Sequence, residues 1–576
     1  MNSSVTPSRA PAPATMLELF TPKLVTVLRE GYHLRDLRAD VISGLTVAIV
    51  ALPLSMAIAI ASGTTPERGL YTAIIGGFLI CAFGGSRFQI GGPAAAFTVV
   101  VATSVANHGL DGMLLATFMA GFFLLAMGLL RLGSYIKFIP YPVTIGFISG
   151  IAAILFAGQI HDLLGLTLAG REPPDFVPKI EALAAAIGTI NPAAVGISLG
   201  TILVIVGLRR IAPNWPNILI AVVLGALAAY FLHLPVETIG TRFGGIPNSL
   251  PVPHLPAFSL AKMQEVLPDA LTFTLLGAIE SLLSAMVADG MTGRRHRSNM
   301  ELVAQGLANI VSPLFGGLPA TGTVARTATN IRAGARGPVS GILHSAFVVL
   351  FMLVAAPLAS YIPLAGLAGV LAVVAWNMAE KHEIVALIRT SWGDAVVLLA
   401  TLGITVFRSL AEAIVVGFAL GALLFIHRMS QTTGIEEHVP PSVEDLPDGA
   451  NAERVAYDPA RATDPDVVVY RITGAFFFGA AGTVSGVLDR IADRHRALIL
   501  DFAAVPFIDT TAANAIAAVV RKAHRHKVAV YVSGAVPMVK HALVSRGVDA
   551  VTAEYQSTID AAWTRAHSML TASKRA

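Results

Sequence analysis

From about residue 40 to residue 427 the chain is a succession of fourteen apolar segments joined by short polar connections. Inside a bilayer every backbone polar group must be satisfied internally, so segments of this kind are predicted to be helices. Composition agrees, because 55% hydrophobic residues, 13% charged residues and a mean hydropathy of +0.70 are too apolar for a soluble chain of 576 residues. The segments fall in two sets of seven. The first lies near 40–61, 69–84, 94–107, 113–131, 142–163, 193–209 and 216–233. The second lies near 268–288, 301–314, 322–332, 339–360, 363–379, 394–408 and 411–427. The third member of each set is too short to cross a bilayer alone.

Charge fixes the expected orientation. With the N-terminus in the cytoplasm, the inner loops hold 12 Lys and Arg and the outer loops 6, with 5 more in the N-terminal arm. This excess predicts fourteen spans with both termini inside. The formal net charge of +4 is explained by that topology, so no nucleic-acid partner is expected. Cys81 is the single cysteine and lies in an apolar segment, which excludes an intrachain disulfide and a cysteine zinc cluster. Residues 1–36 read as a cytoplasmic arm without a cleaved signal peptide, and the amphipathic patch MLELFTPKLVTVLREGY is expected at the membrane surface.

The two sets look like copies. At an offset of 226, Leu45 and Thr46 fall on Leu271 and Thr272, Ser55 on Ser281, Gly91 on Gly317, Pro93 on Pro319 and Ala94 on Ala320. An odd number of spans per copy inverts the second copy. Inverted repeats with interrupted helices at matching positions mark a secondary transporter whose substrate sits near mid-membrane. Here the interruptions are GGPAAAFTVV and GGLPATGTVAR, and a short helix is expected to begin near Gly322. The alternative is that these motifs are simple kinks.

Arg326 lies at membrane depth, where a charge is costly unless it faces a cavity or a partner. A guanidinium beside two helix starts suits an anion. The expected binding residues are Arg326, Thr323, Gly322, Ala94, Ala95 and Ser55, with Thr98 and Thr321 as further hydroxyls. Glu280 is the other charge well inside a span, and Ser284 follows one turn later on the same face. Glu280 is expected to pair with Arg326, to hold a transported proton, or to coordinate Na⁺ with Ser284. No Walker loop, nucleophile elbow or metal-ligand spacing is present, so neither an enzyme, a catalytic residue, a bound metal nor a cofactor is expected. Arg294, Arg295 and Arg297 in the loop 289–299 read as a topology determinant.

After residue 430 the chain turns polar. Residues 431–464 read as a linker, and 465–570 as an alternating β/α module. Asp509, Thr510 and Thr511 fall at a strand-to-helix turn, where the hydroxyls are expected to cap the helix. A phosphorylation or ligand switch at Asp509 and Thr511 is the alternative.

The runs PERGLYTAIIGG, GGPAAAF, GAIESLLSA, ARTATNIRAGARGP and LILDFAAVPFIDTTA resemble the SulP family of sulfate-permease and related anion transporters, with a C-terminal STAS domain. The resemblance implies a 7+7 inverted-repeat fold over residues 37–430, like that of nucleobase transporters. It further implies core and gate parts, alternating access, a homodimer, a cytoplasmic protein partner for the STAS domain, and the bacterial plasma membrane. GAIESLL to DGMTG, NMELVAQGLANI and VAWNMAE look most like the aerobic C4-dicarboxylate branch, whose substrates are succinate, fumarate, malate or aspartate taken up with protons. Sulfate or bicarbonate transport with H⁺ or Na⁺ is the alternative reading, and nucleobase symport or a membrane-anchored signalling module are others. Ala325 stands where some members carry a ligating serine, and Thr511 where the STAS phosphorylation motif carries a serine.

Overall fold

The computed structural model of the chain describes residues 16–134, 140–170, 172–173, 175–212, 215–431, 434–437, 466–476 and 495–575. They divide into two compact units, Met1–Gly421 and Ala422–Ala576. In chain order the first series runs α1 (Met16–Leu19), α2 (Lys23–Arg29), α3 (Leu34–Ala61), α4 (Pro66–Tyr71), α5 (Gly77–Phe83), β1 (Gly91–Gly92) and α6 (Thr98–Leu129). It continues with α7 (Tyr141–Leu164), α8 (Phe176–Ala185), α9 (Pro192–Ile211) and α10 (Asn217–Phe231). The second series runs α11 (Ile239–Phe243), α12 (Leu260–Thr292), α13 (Ser298–Val311), β2 (Thr321–Gly322), α14 (Val324–Arg332) and α15 (Val339–Ala359). It ends with α16 (Leu364–Met378), α17 (Lys381–Thr390), α18 (Trp392–Phe407) and α19 (Leu410–Gln431), which straddles the unit boundary.

Each of the fourteen predicted segments coincides with a helical stretch. Eight helices among the described residues are long and apolar enough to cross a bilayer, and α10 and α18 are shorter apolar helices. The third and fourth segments are the two arms of α6, which is kinked between them at Gly109. That residue sits at φ 70, ψ 179, outside helical space, and glycine adopts this conformation without steric cost. Between α4 and α5 the chain widens into a π-helical turn, Thr72–Gly76.

Packing sorts the helices into two groups. In one, α3 packs on α15, and α6 on α12 and α13, with α14 against α12. In the other, α7 packs on α16 and α18, and α9 on α10 and α16. These correspond to the core and gate parts. Apolar clusters join the groups: Phe147 and Ile151 of α7 and Leu410 and Ile414 of α19 pack with Phe97, Val101 and Phe273.

The amphipathic patch at the N-terminus is held by protein. The backbone N–H of Lys23 donates to Gly84 O (2.9 Å), and Arg297 Nη1 donates to Thr21 O (2.7 Å) and Thr26 Oγ1 (2.8 Å). Arg87 pairs with Glu30, and Val27 is buried beside Gly337. Burial, and then the neighbouring Arg297 and Arg87, lower the Lys23 ammonium below its ordinary value. Arg297 is therefore a tether for α2, a role its loop charge alone did not disclose.

The second unit is a five-stranded sheet of order β3-β4-β5-β6-β7. Its strands are β3 (Gly434–Glu437), β4 (Val467–Thr473), β5 (Ala497–Ala504), β6 (Ala529–Ser533) and β7 (Glu554–Gln556). β3 is antiparallel to β4, and the remaining pairs are parallel, as an alternating β/α module requires. Three helices accompany them, α20 (Thr510–Arg525), α21 (Pro537–Val544) and α22 (Ile559–Arg575). The run SGVLDRIADRHR, whose pattern reads as the first helix of that module, lies almost wholly outside the described residues. Residues 434–437, read from sequence as linker, form the edge strand β3. Asp509 Oδ1 accepts from Ala512 N (2.8 Å), so a carboxylate caps α20 in place of the expected threonine hydroxyls.

Candidate functional site

Two interrupted segments meet at the centre of the core. β1 and β2 pair antiparallel, Gly91 with Gly322 and Gly92 with Thr321. The chain then enters a 3₁₀ turn at Ala95–Phe97 leading into α6, and α14 at Val324. The two helical starts, Ala95 and Val324, lie 229 positions apart, so the 226 offset that aligns α3 with α12 slips before the break. Gly317 and Pro319, matched in sequence to Gly91 and Pro93, precede β2. Bond pattern identifies the backbone donors left without an intrahelical acceptor. The first turn bonds are Phe97 N to Ala94 O and Thr327 N to Thr323 O, each 3.0 Å, so Ala95, Ala96 and Val324–Arg326 come before any intrahelical acceptor.

Arg326 is 2% exposed and is the one fully buried Lys or Arg among the described residues. Its Nη2 donates to Ser55 Oγ (3.0 Å) and to Pro93 O (3.2 Å). Its Nε and Nη1 have no hydrogen-bond partner. The guanidinium thus engages no carboxylate, and the expected pairing with Glu280 is not formed. Gly92 makes this position of the arginine possible: its φ is +151°, and a Cβ there would stand 2.3 Å from Arg326 Nη1.

The remaining predicted residues gather around this centre unequally. Thr323 donates through its N–H (3.0 Å) and its hydroxyl (3.3 Å) to Ile90 O. Ser284 Oγ and Thr327 Oγ1 lie 3.1 Å apart, and Thr327 Oγ1 accepts from Ile90 N (3.1 Å). Ser284 therefore ties α12 to α14. Glu280 is half-buried on α12. Thr321 Oγ1 donates to Gly277 O (3.1 Å), and Phe97 stacks edge-on against Phe273 at 6.0 Å, so one helix braces both breaks. Ala94 is buried, Ala95 half-buried, and Val324 and Ala325 are exposed.

A second, wholly buried polar cluster supports the break from α13, and the sequence reading missed it. Glu301 Oε2 accepts from Gly85 N (2.9 Å) and Ser86 N (3.2 Å), while Oε1 accepts from Ser281 Oγ (3.1 Å) and Gln305 Nε2 (3.0 Å). Gln89 Nε2 donates to Ser281 Oγ (2.8 Å). Asn309 closes the cluster, receiving Ala320 N (2.9 Å) and donating to Ala320 O (2.7 Å). The spacing i, i+4, i+8 in NMELVAQGLANIV was the available signal, since three polar residues on one face of an apolar segment require partners. At the far end of α14, Asn330 Nδ2 donates to Phe88 O and Ser340 Oγ, both 2.9 Å, and receives the Ser43 hydroxyl. A cavity of about 400 Å³ lined by Ile74, Phe78, Phe315 and Val349 is apolar, and none of the predicted site residues lines it.

Residues 37–401 match the family model described as the sulfate permease family, and residues 458–562 match the STAS domain. The chain is 40% identical over 499 residues to a putative sulfate transporter, YvdB, of Bacillus subtilis, covering 86% of this chain and 91% of that protein. It is 31% identical over 519 residues to the bicarbonate transporter BicA of Picosynechococcus, covering 87% and 89%. Among solved structures, the transmembrane domain of a cyanobacterial BicA matches with a TM-score of 0.61 at 32% identity, over 68% of this chain and 98% of that one. Murine Slc26a9 in the inward-facing state matches with a TM-score of 0.83 at 17% identity over 97% of both chains, a likeness of fold. The chain therefore belongs to the sulfate permease family, as a multi-pass membrane anion transporter with a C-terminal STAS domain.

Proposed function

We propose that this protein carries a small oxyanion, sulfate or bicarbonate, across the plasma membrane by alternating access. Its N- and C-termini lie in the cytoplasm in this reading. The observation that carries it is the buried guanidinium of Arg326, with two nitrogens unpartnered, where two helix starts converge. Positive ends and unbonded N–H groups attract an anion without any further residue. Ser55, Thr323, Gly322, Ala94 and Ala95 complete the contact surface, and Glu280 couples the movement to H⁺ or Na⁺ with Ser284 near it.

A compact oxyanion fits this site better than a C4-dicarboxylate. A C4-dicarboxylate holds its two charges on carboxylates separated by a carbon chain, so one lies away from Arg326, the single fully buried Lys or Arg among the described residues, whereas sulfate or bicarbonate keeps its charge on one compact group. The relatives named above carry sulfate and bicarbonate in their names, which moves these anions ahead of succinate, fumarate, malate and aspartate. The family likeness extends the reading to a homodimer with a cytoplasmic partner on the STAS domain.

Uptake of labelled sulfate, bicarbonate and succinate into proteoliposomes, with and without pH or Na⁺ gradients, tests the proposal. Sulfate or bicarbonate should be taken up, and Arg326→Ala should lower that uptake at least about tenfold through loss of charge-assisted bonds. Uptake confined to succinate would restore the dicarboxylate reading. Full activity of Arg326→Ala would remove the anion site.

A further inference from the structure

The connection between α7 and α9 carries α8, an amphipathic helix fixed to the gate. Phe176 stacks edge-on against Phe407 of α18 at 5.9 Å, and Leu183 is buried with Leu166 and Ala186. From this anchored helix Lys179 turns back over α7. Its side chain is 13% exposed, and its Nζ lies 3.7 Å from the place a Cβ on Gly158 would occupy. That is ordinary contact distance, so the ammonium rests against α7 at Gly158.

Beneath it lies a small cavity of about 20 Å³, room for roughly one water. Lys179, Gly158 and Gln159 line it from the gate, and Thr98 and Ala61 from the core. Thr98 is 3% exposed, and its Oγ1 has no hydrogen-bond partner. A buried hydroxyl without a partner is costly, and here it opens α6, about one turn beyond Ala94. The cavity therefore lies on the seam between core and gate, between the Arg326 site and the end of the bundle where α3 and α7 finish and α8 lies.

We propose that Lys179 and Thr98 form a second anion-binding station, which a small oxyanion occupies on its way between water and Arg326; Gln159, whose Nε2 donates to Leu155 O (3.1 Å), lines it as wall. This rests on the reading of the protein as a transporter of such anions. Lys179 supplies a cation outside the central site, and Thr98 supplies a hydroxyl donor on the opposite wall, so separation of core and gate opens the station and their approach closes it. Glu172 holds Lys179 Nζ at 3.0 Å in the present conformation and competes with the anion for it. A plain surface ion pair would contribute little to stability and nothing to transport.

The full-length protein in proteoliposomes distinguishes these roles, with sulfate and bicarbonate presented on the α8 side or on the opposite side. Lys179→Gln should raise the half-saturation concentration on the α8 side about five- to tenfold, which is about 1.0–1.4 kcal/mol, and leave the opposite side within about twofold. Lys179→Arg should restore it. Glu172→Gln should shift the same constant downward, because it frees the ammonium. Thr98→Val, which leaves the ion pair intact, should raise it about two- to fivefold. Shifts of Lys179→Gln and Glu172→Gln in the same direction, equal effects on both sides, or no effect overturn the station. Sulfate binding to the detergent-solubilised wild-type protein is measured in parallel. Absence of both binding and flux in wild type removes the anion reading of Arg326 and the station with it, whereas wild-type flux with a silent Lys179→Gln removes the station alone.

Discussion

Arg326 and Gly92 form a pair in which the glycine matters as much as the charge. At φ +151° and with its missing Cβ 2.3 Å from Nη1, Gly92 lets the guanidinium cross directly under the backbone of β1. Gly92→Ala should displace the arginine from Ser55 and Pro93 and lower anion uptake about tenfold or more, while the purified protein stays monodisperse. Uptake within twofold of wild type would show that the guanidinium tolerates the displacement. The arginine was legible because a charge in an apolar run has few structural excuses. The glycine was not: GGP predicted a break in the helix, but nothing in those letters says which side chain passes over it.

At the scale of elements, the break is held from three sides. Pairing of β1 with β2 aligns the two helix starts, Thr321 and Phe97 fix both to α12, and the Glu301 cluster on α13 fixes the chain that leads into β1. Glu301→Ala would leave two backbone N–H groups and the Ser281 hydroxyl without their acceptor, and Gln305 Nε2 with Ser281 Oγ alone. It should destabilise the protein by about 3 kcal/mol or more, read as a lower midpoint of thermal unfolding in detergent, with Glu301→Gln between it and wild type. An unchanged midpoint would mean that water replaces the carboxylate freely. Gly322 shows the same dependence on neighbours, since a Cβ there would stand 1.5 Å from Gln89 Nε2. The inverted repeat was visible as an offset of 226. Its slip to 229 at the helix starts was hidden, because short apolar segments share letters by chance and only pairing fixes register.

For the whole molecule, the division into two compact units has a direct consequence. Every residue of the Arg326 site and of the Glu301 cluster belongs to Met1–Gly421. Removing residues 434–576 should therefore leave sulfate affinity within about twofold of wild type, measured by binding to the detergent-solubilised protein, even where transport slows. Loss of binding would show that the second unit maintains the site. Hydropathy and residue pattern were enough to place the membrane class, the fourteen helical stretches, the two interruptions and the alternating strands of the tail. These follow from hydropathy, from periodicity and from what Gly and Pro do to a backbone, all of them local properties. Tertiary structure alone decided that Arg326 meets Ser55 and not Glu280, that Glu301 anchors the entry to β1, that α2 is tethered by Arg297, and that residues 434–437 close the sheet. Each is a contact between residues distant in sequence, settled by which partners packing brings within reach.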